Sequence, residues 1–260
     1  MRIYSNAHDL MSEMGRELSS YGKIVKPKTY QNKNIDGNDD FITKEIICQQ
    51  YCLTSLGDLN WLFVYTNTKN WADAEFAERI DPSVVNPGDA YLENPLMWSE
   101  FIRDNGKFDY TYSERLNRLV KSAPNNMGKV FTTNLEAIIQ LLSTDPDTRK
   151  AVLNIFDSQD ADHYDGSARI PCSVYYGFLI RENAKGEKQL NICYHQRSSD
   201  FCTHFGDDVY LAWRLMEYVA YRVGVKPGYL YHTIDSLHAY SKDWHLLNTS
   251  IEDIPDLLDL

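Results

Sequence analysis

The stretch RIPCSVYYGFLIR (169–181) places Cys172 directly after a proline, where a run of β-branched and aromatic residues begins. A cysteine in such a run is most often a small buried apolar residue. A nucleophilic thiol would need a nearby positive charge to lower its pKa. Arg197 could supply that charge, because RENAKGEKQ has the composition of a hairpin turn that would bring the two strands together. An ion pair with Asp200 is the alternative role for this arginine.

Further cations lie in two polar segments, KPKTY with Lys28 and DPDTRK with Arg149 and Lys150. Taken one at a time, each is most simply a solvated surface charge. Together with Arg197 and Ser198, they could form a clamp for a phosphate group, since arginine and lysine are the usual partners of phosphate oxygens.

The net charge limits the kind of ligand. The 260 residues carry a formal charge of −11, which opposes tight binding to nucleic acid because that affinity depends on neutralising many phosphates. A phosphate-bearing ligand should therefore be small, and no nucleic-acid partner is predicted.

The composition also predicts one catalytic domain over residues 1–260, since 43% of the residues are hydrophobic and the chain has no repeat. The five cysteines are odd in number and lack zinc-ligand spacing, so we expect free thiols and no metal site. The N-terminus lacks the apolar stretch of a signal peptide, and no run reaches 18 apolar residues. A cytoplasmic protein that does not enter membranes is the expectation.

The elements that must position these residues follow from periodicity and turn signals. The first half is predicted to contain helices over 6–21, 45–65, 113–123 and 134–145, with an irregular region at 66–110. Either Thr133 or Asn134 would cap the last of these helices. The second half is predicted to contain strands at 151–156, 172–181, 190–196 and 228–241, with a long helix over 207–224. Helices packed against one large sheet, an α/β (α+β) architecture, are expected.

Several of these motifs, in this order, resemble the thymidylate synthase superfamily from about residue 133 to residue 243. DPDTRK, IPC, HQRSSD, the helix opening DDVYLAW and SLHAYS follow the family pattern D-P-x-S-R-R, P-C, Q-R-S-x-D, a polar residue before an apolar helix, and H-x-Y. The N-terminal half resembles the family through GDLNWLF, with Asp58 where a glutamate is usual, and through WSEFIRDNGKFDYTYS, which contains Trp98 and Tyr112.

The resemblance implies a homodimer whose large, mainly antiparallel or mixed sheets pack back to back, with Arg149 and Lys150 reaching the partner's phosphate site. It also implies that the Cys172 thiolate adds to C6 of a pyrimidine nucleotide, which makes C5 nucleophilic toward the methylene of 5,10-methylenetetrahydrofolate. Loss of tetrahydrofolate then leaves an exocyclic methylene. Hydride would convert this group to a methyl, whereas water would convert it to a hydroxymethyl.

Two departures from the synthases indicate the hydroxymethylase branch. Asp208 aligns with an asparagine that reads uracil, whereas a carboxyl can accept from the N4 amine of cytosine and, when protonated, donate to N3. Asp207 and Asp208 both also suit a helix start, so one of them could be only a cap. Ser173 replaces the usual histidine, and SLHAYS is similar to the bacteriophage deoxycytidylate hydroxymethylases. The resemblance therefore implies a dCMP or CMP hydroxymethylase.

The roles of the remaining residues follow from the resemblance. Asp58 would be the general acid or base, its pKa raised by burial. Trp98 and Asp200 would contact the folate, and Tyr112 would lie near the thiol. The nucleotide would be bound by Lys28, Arg149, Lys150, Gln196, Arg197, Ser198, Asp208, His238 and Tyr240.

Other functions stay open at this point. One is methylation of dUMP by a thymidylate synthase, and another is hydroxymethylation of dUMP. A catalytically silent homologue that binds a nucleotide or RNA is the alternative outside enzymes.

The acidic end IEDIPDLLDL lacks the apolar lid of the synthases. A site that is less sealed from solvent favours addition of water over hydride transfer.

Overall fold

The computed structural model describes residues 1–121 and 131–254. Its strands, in chain order, are β1 (Arg2–Tyr4), β2 (Lys23–Val25), β3 (Thr29–Tyr30), β4 (Lys33–Asn34), β5 (Thr43–Leu53), β6 (Leu119–Lys121), β7 (Phe131–Thr133), β8 (Val152–Asn154), β9 (Ser173–Glu182), β10 (Lys188–Gln196), β11 (Ser199–Asp200) and β12 (Lys226–Tyr240). Its α-helices are α1 (Ala7–Tyr21), α2 (Lys69–Ile80), α3 (Pro95–Trp98), α4 (Tyr112–Leu116), α5 (Asn134–Thr144), α6 (Phe205–Val223) and α7 (Trp244–Leu247).

A mixed sheet of eight strands organises this part of the chain. Its order is β1-β5-β12-β10-β9-β8, with β2 also pairing with β5 and β11 also pairing with β12. The pairs β1/β5, β10/β12 and β11/β12 are parallel, and the others are antiparallel. The expectation of a large mixed sheet flanked by helices is confirmed; the division into domains stays a prediction.

Helices cover one face of this sheet. Helix α6 packs on β10 and β12, and α1 packs on β5. Alternate residues of β9, namely Tyr176, Phe178 and Ile180, are buried beneath them, as the two-residue period of a strand requires. Elsewhere on the sheet apolar side chains are left open: Ile47 is 70% exposed and Val152 is 43% exposed.

The second half matches its predicted elements closely. Strands β9 and β10 form the predicted hairpin, with Asn183 and Glu187 bonded across its turn. Helix α6 ends at Gly224, whose φ of 76° lies in the left-handed region that glycine adopts without strain. In the first half α1 is confirmed, with an Asn6 side-chain cap, and α5 is capped by Thr133 rather than Asn134.

The helix predicted over 45–65 is wrong. This segment is the long strand β5, followed by a 3₁₀ helix over Leu59–Phe63. A continuous apolar run can suit a buried strand as well as a helix, and pairing decides between them. Here β5 lies inside the sheet between β1 and β12, so its backbone groups are satisfied by two neighbouring strands.

Two further predictions in the first half need correction. The region 66–110 is not irregular throughout, because α2 runs from Lys69 to Ile80 and buries Trp71, Ala72 and Phe76. The helix predicted over 113–123 is limited to the short α4, after which the chain turns into β6. The end of that predicted helix and most of the acidic segment 251–260 lie outside the described residues.

Among residues 1–121 and 131–254, no helix has both the length and the apolar character needed to cross a bilayer.

Candidate active site

A cavity of about 370 Å³ opens where β9, β10 and β11 meet the start of α6 and the end of β12. The predicted residues on its wall are Trp98, Tyr112, Cys172, Arg197, Ser198, Asp200, Asp208, His238 and Tyr240. The fold therefore brings together motifs that are separated by up to about 140 positions in the sequence.

Cys172 lies at the entrance to β9, and the hairpin sets Arg197 beside it. The Arg197 backbone N–H donates to the Cys172 carbonyl at 2.9 Å, and Arg197 Nη2 lies 3.8 Å from the Cys172 sulfur. The same guanidinium donates to the carbonyls of Ile170 and Pro171. This placement matches the predicted contact, and no ion pair joins Arg197 to Asp200 among the described residues. Burial nevertheless raises the pKa of the thiol, and the arginine charge opposes that rise.

Asp208 lies on the first turn of α6 with one oxygen already engaged. Its Oδ2 accepts hydrogen bonds from Gln196 Nε2 at 2.8 Å and from Ser199 Oγ at 3.0 Å. None of the described residues donates to its Oδ1, and the side chain lines the cavity. Burial raises the pKa of Asp208 to about 6, although both hydrogen bonds favour the anion. At neutral pH this carboxyl is therefore close to a change of charge.

Gln196 was predicted to bind the nucleotide, but it does not line the cavity. It is fully buried behind Asp208 and acts on the site through that carboxyl.

The neighbouring carboxyl, Asp207, is more deeply buried and only partly satisfied. Thr68 Oγ1 donates to its Oδ1 at 2.7 Å, while Oδ2 is buried without a hydrogen-bond partner in the described structure. Burial raises the pKa of Asp207 well above its usual value. A neutral acid that lines a cavity in this way can donate to a ligand.

The first turn of α6 reaches the cavity through a close backbone approach. Gly206 precedes the two carboxyls, and a Cβ atom there would overlap the carbonyl oxygen of Leu62 in the 3₁₀ helix Leu59–Phe63. Only glycine fits this contact. Asp207 and Asp208 are therefore held against the cavity by packing on residues 59–63.

Ser173, the residue after the thiol, contacts Tyr112. The Ser173 hydroxyl lies 3.1 Å from the Tyr112 hydroxyl and 2.6 Å from that of Tyr194. The Tyr112 ring also packs against Arg79, whose guanidinium carbon is 3.9 Å from the ring centroid. Tyr112 thus contacts the residue after Cys172, which agrees with its predicted position near the thiol.

The residues expected to bind the sugar lie at the end of β12. His238 and Tyr240 both line the cavity, and their rings pack edge to face at 5.2 Å. Asp200 pairs with His238 in the parallel β11/β12 ladder and so lies on the same wall. These three positions meet as the sequence predicts.

An aromatic wall forms another side of the cavity. Trp98 stacks on Trp71 at 5.1 Å, and its indole Nε1 is buried with no hydrogen-bond partner in the described structure. Arg169 is buried with its guanidinium carbon 4.1 Å from the Phe101 ring centroid. A flat heterocycle with hydrogen-bond acceptors would fit such a wall, because it could stack and also receive the free N–H.

The sequence reasoning missed a buried ion pair on α2. Glu75 and Arg79 line the cavity, 2.8 Å apart, with side chains only 16% and 7% exposed. Burial raises the pKa of Glu75, which the adjacent arginine opposes. The four-residue spacing of Trp71 and Glu75 could have indicated that both lie on one face of a helix. Because residues 66–110 were predicted to be irregular, this helical spacing was not used.

The position expected for Asp58 is wrong. This residue is exposed and lies outside the cavity wall, where its side chain caps the short helix Leu59–Phe63 by accepting from the Asn60 backbone N–H at 3.0 Å. An aspartate before a helix start commonly has this structural role. Its burial with a raised pKa was predicted from a helix that the structure does not contain.

Three of the predicted phosphate-binding cations also lie outside this cavity. Lys28 is 80% exposed, with its ammonium 3.9 Å from Asp36, although the following residues Thr29 and Tyr30 do line the cavity. Arg149 and Lys150 are exposed in the turn after α5. Their expected contact with a partner subunit stays a prediction.

No group of three or more potential metal ligands was found within residues 1–121 and 131–254.

Three sequence matches and one structural match relate this chain to known proteins. The sequence model of the family described as thymidylate synthase matches residues 90–258. A protein described as "putative thymidylate synthase" from Methanosarcina mazei is 28% identical over 159 residues, which cover 61% of this chain and 64% of that protein. The deoxyuridylate hydroxymethyltransferase of Bacillus phage SP01 is 28% identical over 146 residues, which cover 56% of this chain and 37% of that protein. The matched regions span less than two thirds of these relatives' lengths.

A solved structure shares the fold. The thermostable thymidylate synthase A from Bacillus subtilis superposes with a TM-score of 0.75 over 95% of this chain and 84% of that one, at 16% sequence identity.

Proposed function

Because this chain belongs to the thymidylate synthase family, we propose that it transfers a one-carbon unit from 5,10-methylenetetrahydrofolate to C5 of a pyrimidine nucleotide. The preferred substrate is a cytosine nucleotide, CMP or dCMP, and the product carries a 5-hydroxymethyl group. The observation that carries this proposal is a carboxyl, Asp208, that faces the cavity beside the Cys172 thiol and changes charge close to neutral pH.

Cys172 is the nucleophile of the proposed reaction. Its thiolate forms a bond to C6 of the base, and the electron pair displaced from the C5–C6 bond makes C5 reactive. Arg197, 3.8 Å from the sulfur, stabilises the anion as it forms. Because burial raises the pKa of Cys172, the resting group is a thiol, and its proton must pass to a base before the sulfur adds to C6.

Once C5 has bonded to the one-carbon unit, a base must take the C5 proton as tetrahydrofolate departs, and water then adds to the exocyclic methylene. Breaking the bond from C6 to sulfur finally restores the C5–C6 double bond and releases the Cys172 thiolate.

Asp208 reads the base. Cytosine presents a lone pair at N3, whereas uracil presents an N–H at that position, so a protonated Oδ1 matches cytosine and an ionised one matches uracil. Since the pKa of Asp208 is about 6, the protonated form is accessible without a large penalty.

Glu75 takes the acid–base role that the sequence had assigned to Asp58. Its carboxyl lies on the cavity wall, its pKa is raised by burial, and Arg79 holds it in one orientation. A carboxyl tuned in this way can move a proton between water and the base, as hydration of an exocyclic methylene requires.

The aromatic wall would hold the folate. When bound, the folate supplies the carbon at the oxidation level of formaldehyde. Trp71 and Trp98 provide a stacking surface, and Asp200 also lines the cavity. Trp98 Nε1 and protonated Asp207 could donate to pterin acceptors after a small side-chain shift that exposes these buried atoms.

A homodimer completes the proposed site. The uncovered apolar residues of the sheet, such as Ile47 and Val152, suit packing against a second copy. Arg149 and Lys150, which are exposed in this chain, would then bind the phosphate in the partner's cavity. Sedimentation at micromolar concentration tests the assembly, and a monomer there contradicts it.

The activity test incubates the protein with 5,10-methylenetetrahydrofolate and CMP, dCMP or dUMP, followed by mass analysis of the product. We expect a hydroxymethyl group on a cytosine nucleotide. Cys172→Ala should lower turnover by about 10³-fold or more, because the nucleophile is lost. Cys193→Ala is the matched control, since Cys193 is also partly exposed but lies outside the cavity wall. A methyl product from dUMP, with cytosine nucleotides left unchanged, contradicts the proposal.

Hydroxymethylation of dUMP is the second candidate. It is favoured by the phage relative, whose name states a deoxyuridylate hydroxymethyltransferase activity. An ionised Asp208 would serve that substrate, so the same mass analysis with dUMP separates the two.

A further inference from the structure

A chain of buried polar groups extends from Asp208 into the core, and the proposed reaction does not use its inner members. Gln196 Nε2 donates to Asp208 Oδ2 at 2.8 Å, and Gln196 Oε1 lies 2.8 Å from His232 Nε2. His232 Nδ1 lies 2.8 Å from the Tyr51 hydroxyl. Gln196, His232 and Tyr51 are each no more than 1% exposed. The chain thus joins the cavity to the interior of the sheet through three fully buried side chains.

His232 is held neutral in this position. Burial lowers the pKa of its imidazole to about 3, and the Tyr194 ring stacks on it at 4.4 Å. A neutral imidazole has one donor nitrogen and one acceptor nitrogen. His232 must therefore donate to one neighbour in the chain and accept from the other.

The two ends of the chain determine which nitrogen donates. With Gln196 Nε2 toward Asp208, Gln196 Oε1 must accept from His232 Nε2–H, and His232 Nδ1 then accepts from the Tyr51 hydroxyl. Every group in the chain has a partner of the correct type. A reversed amide would place Gln196 Oε1 against Asp208 Oδ2, and two acceptors would then face each other unless that oxygen were protonated.

This arrangement has a consequence for the cavity. Since Oδ2 of Asp208 accepts from both Gln196 and Ser199, a proton on Asp208 is favoured at Oδ1, the oxygen without a donor from the described residues. A neutral Asp208 then donates from Oδ1 toward the ligand. The lone pair at N3 of cytosine can receive that proton, whereas the N3–H of uracil cannot.

We propose that Tyr51 and His232 are positioning residues that fix the Gln196 amide and thereby select cytosine over uracil through Asp208. The proposal rests on the proposed function, because it concerns how that site reads its base. Other charged and titratable groups surround Asp208, and the test below changes none of them. They are Arg79 on α2, Tyr112 on α4, Cys172 before β9, Tyr176 on β9, Tyr194 on β10, Asp200 on β11 and Asp207 on α6, with Glu75 of α2 on the same cavity wall.

Tyr51→Phe removes the hydroxyl that donates to His232 Nδ1 while keeping the ring. We expect the ratio of kcat/KM for the cytosine nucleotide to that for the uracil nucleotide to fall about tenfold, the effect of one buried hydrogen bond. The alkaline limb of the pH profile for the cytosine nucleotide should also move to higher pH, because a disordered Gln196 stabilises the Asp208 anion less and so raises the pKa of Asp208. Tyr4→Phe is the matched control: Tyr4 packs edge to face on Tyr51 at 6.1 Å, and its buried hydroxyl has no partner in the described structure.

The wild-type protein provides a test that needs no variant. Nitrogen NMR of ¹⁵N-histidine should show one exchange-protected ring, neutral at pH 6 and protonated on Nε2, since His232 is 1% exposed. A protected ring with its proton on Nδ1, or one that carries a charge at that pH, contradicts the positioning role of Tyr51 and His232 even if the activity is as proposed.

The two proposals fail in different ways. If the wild-type protein turns over no pyrimidine nucleotide, the proposed function fails. The NMR result alone then decides the direction of the hydrogen bonds between Gln196, His232 and Tyr51. If the wild type is active and folded Tyr51→Phe matches Tyr4→Phe in both selectivity and pH profile, the positioning role is wrong while the function stands.

Discussion

Asp207 and Asp208 are adjacent on the same helical turn, yet their surroundings differ in kind. Asp208 has its inner oxygen saturated by two donors, and buried side chains behind Gln196 support that contact. Asp207 has one hydroxyl donor and one buried oxygen with no partner in the described structure, and the indole N–H of Trp98, on the same cavity wall, also has no partner there. One side of the cavity is pre-organised for a single ligand orientation, and the other keeps unsatisfied groups that a ligand can complete.

The difference indicates how the two ligands are recognised. A buried group held by several partners costs little reorganisation when the ligand arrives, so it can discriminate between similar bases. A buried group left unpaired destabilises the empty protein and favours any ligand that satisfies it. We therefore expect substitutions on the Asp208 side to change selectivity, and those on the Asp207 and Trp98 side to change affinity and stability.

The largest expected effect comes from Asp208→Asn. An asparagine with its oxygen toward the base accepts from uracil N3–H and donates to O4, and the Gln196 amide must then turn so that its oxygen accepts from the asparagine NH2. In that arrangement kcat/KM should fall about 100-fold for the cytosine nucleotide and rise for dUMP. Competition between CMP or dCMP and dUMP in one reaction measures the ratio directly. An unchanged preference would remove this residue from base recognition and with it the contrast between the two sides.

The second effect concerns stability and pH. The folded-state pKa of Asp208 is about 6, above its usual value near 3.9, so the folded state binds the proton more tightly than the unfolded state does. Its stabilising contribution is complete below pH 3.9 and is lost as the pH rises through about 6. Relative to wild type, Asp208→Asn should therefore gain on the order of 2 kcal/mol in free energy of unfolding between pH 4 and pH 8.

Denaturant titrations of both proteins at several pH values measure this difference. Asp207→Asn should show the same sign, because burial also raises the pKa of Asp207. A difference between wild type and Asp208→Asn that does not vary with pH would show that Asp208 is not a shifted group.

The smallest effect is expected from Trp98→Phe. The variant removes a buried N–H that has no partner in the described structure and keeps a ring that can stack on Trp71. We expect the stability of the free protein to change by no more than about 1 kcal/mol, because lost contacts offset the relieved desolvation. The KM for the folate should rise severalfold while the nucleotide KM does not change. A change confined to the nucleotide KM would place Trp98 on the wrong side of the cavity.

The second half of the chain was predictable because its motifs and elements support one another. Cys172, Arg197 and Asp208 are brought together by the β9–β10 hairpin and by helix α6 with its left-handed Gly224. The hairpin turn, the terminal glycine and the apolar period of α6 can all be recognised in the sequence. The first half was less predictable because strand β5 reads as a buried helix until its neighbours in the sheet are known. The wrong position predicted for the acid–base carboxyl followed from that error. Asp58 caps a short helix, while Glu75 on α2 lies on the cavity wall.

The residues that line the cavity could be predicted better than the hydrogen bonds that join them to buried residues. Residue types identified a thiol, a cation and a carboxyl, since each has a recognisable chemistry. That Gln196 stands behind Asp208, or that His232 and Tyr51 continue the chain, depends on side-chain directions across three strands, β5, β10 and β12. Such cross-strand neighbours are set by register, which a single sequence specifies only through the completed sheet.

If the proposed function holds, the glycine before the two carboxyls gives the segment 59–63 an influence on base selection, although none of its side chains lines the cavity. Because a carbonyl oxygen of that segment fills the space of a missing methyl group, we expect a small shift of its backbone to move both acids together. Residues that never meet a substrate can in this way retune which base is accepted, and evolutionary change of specificity could begin there.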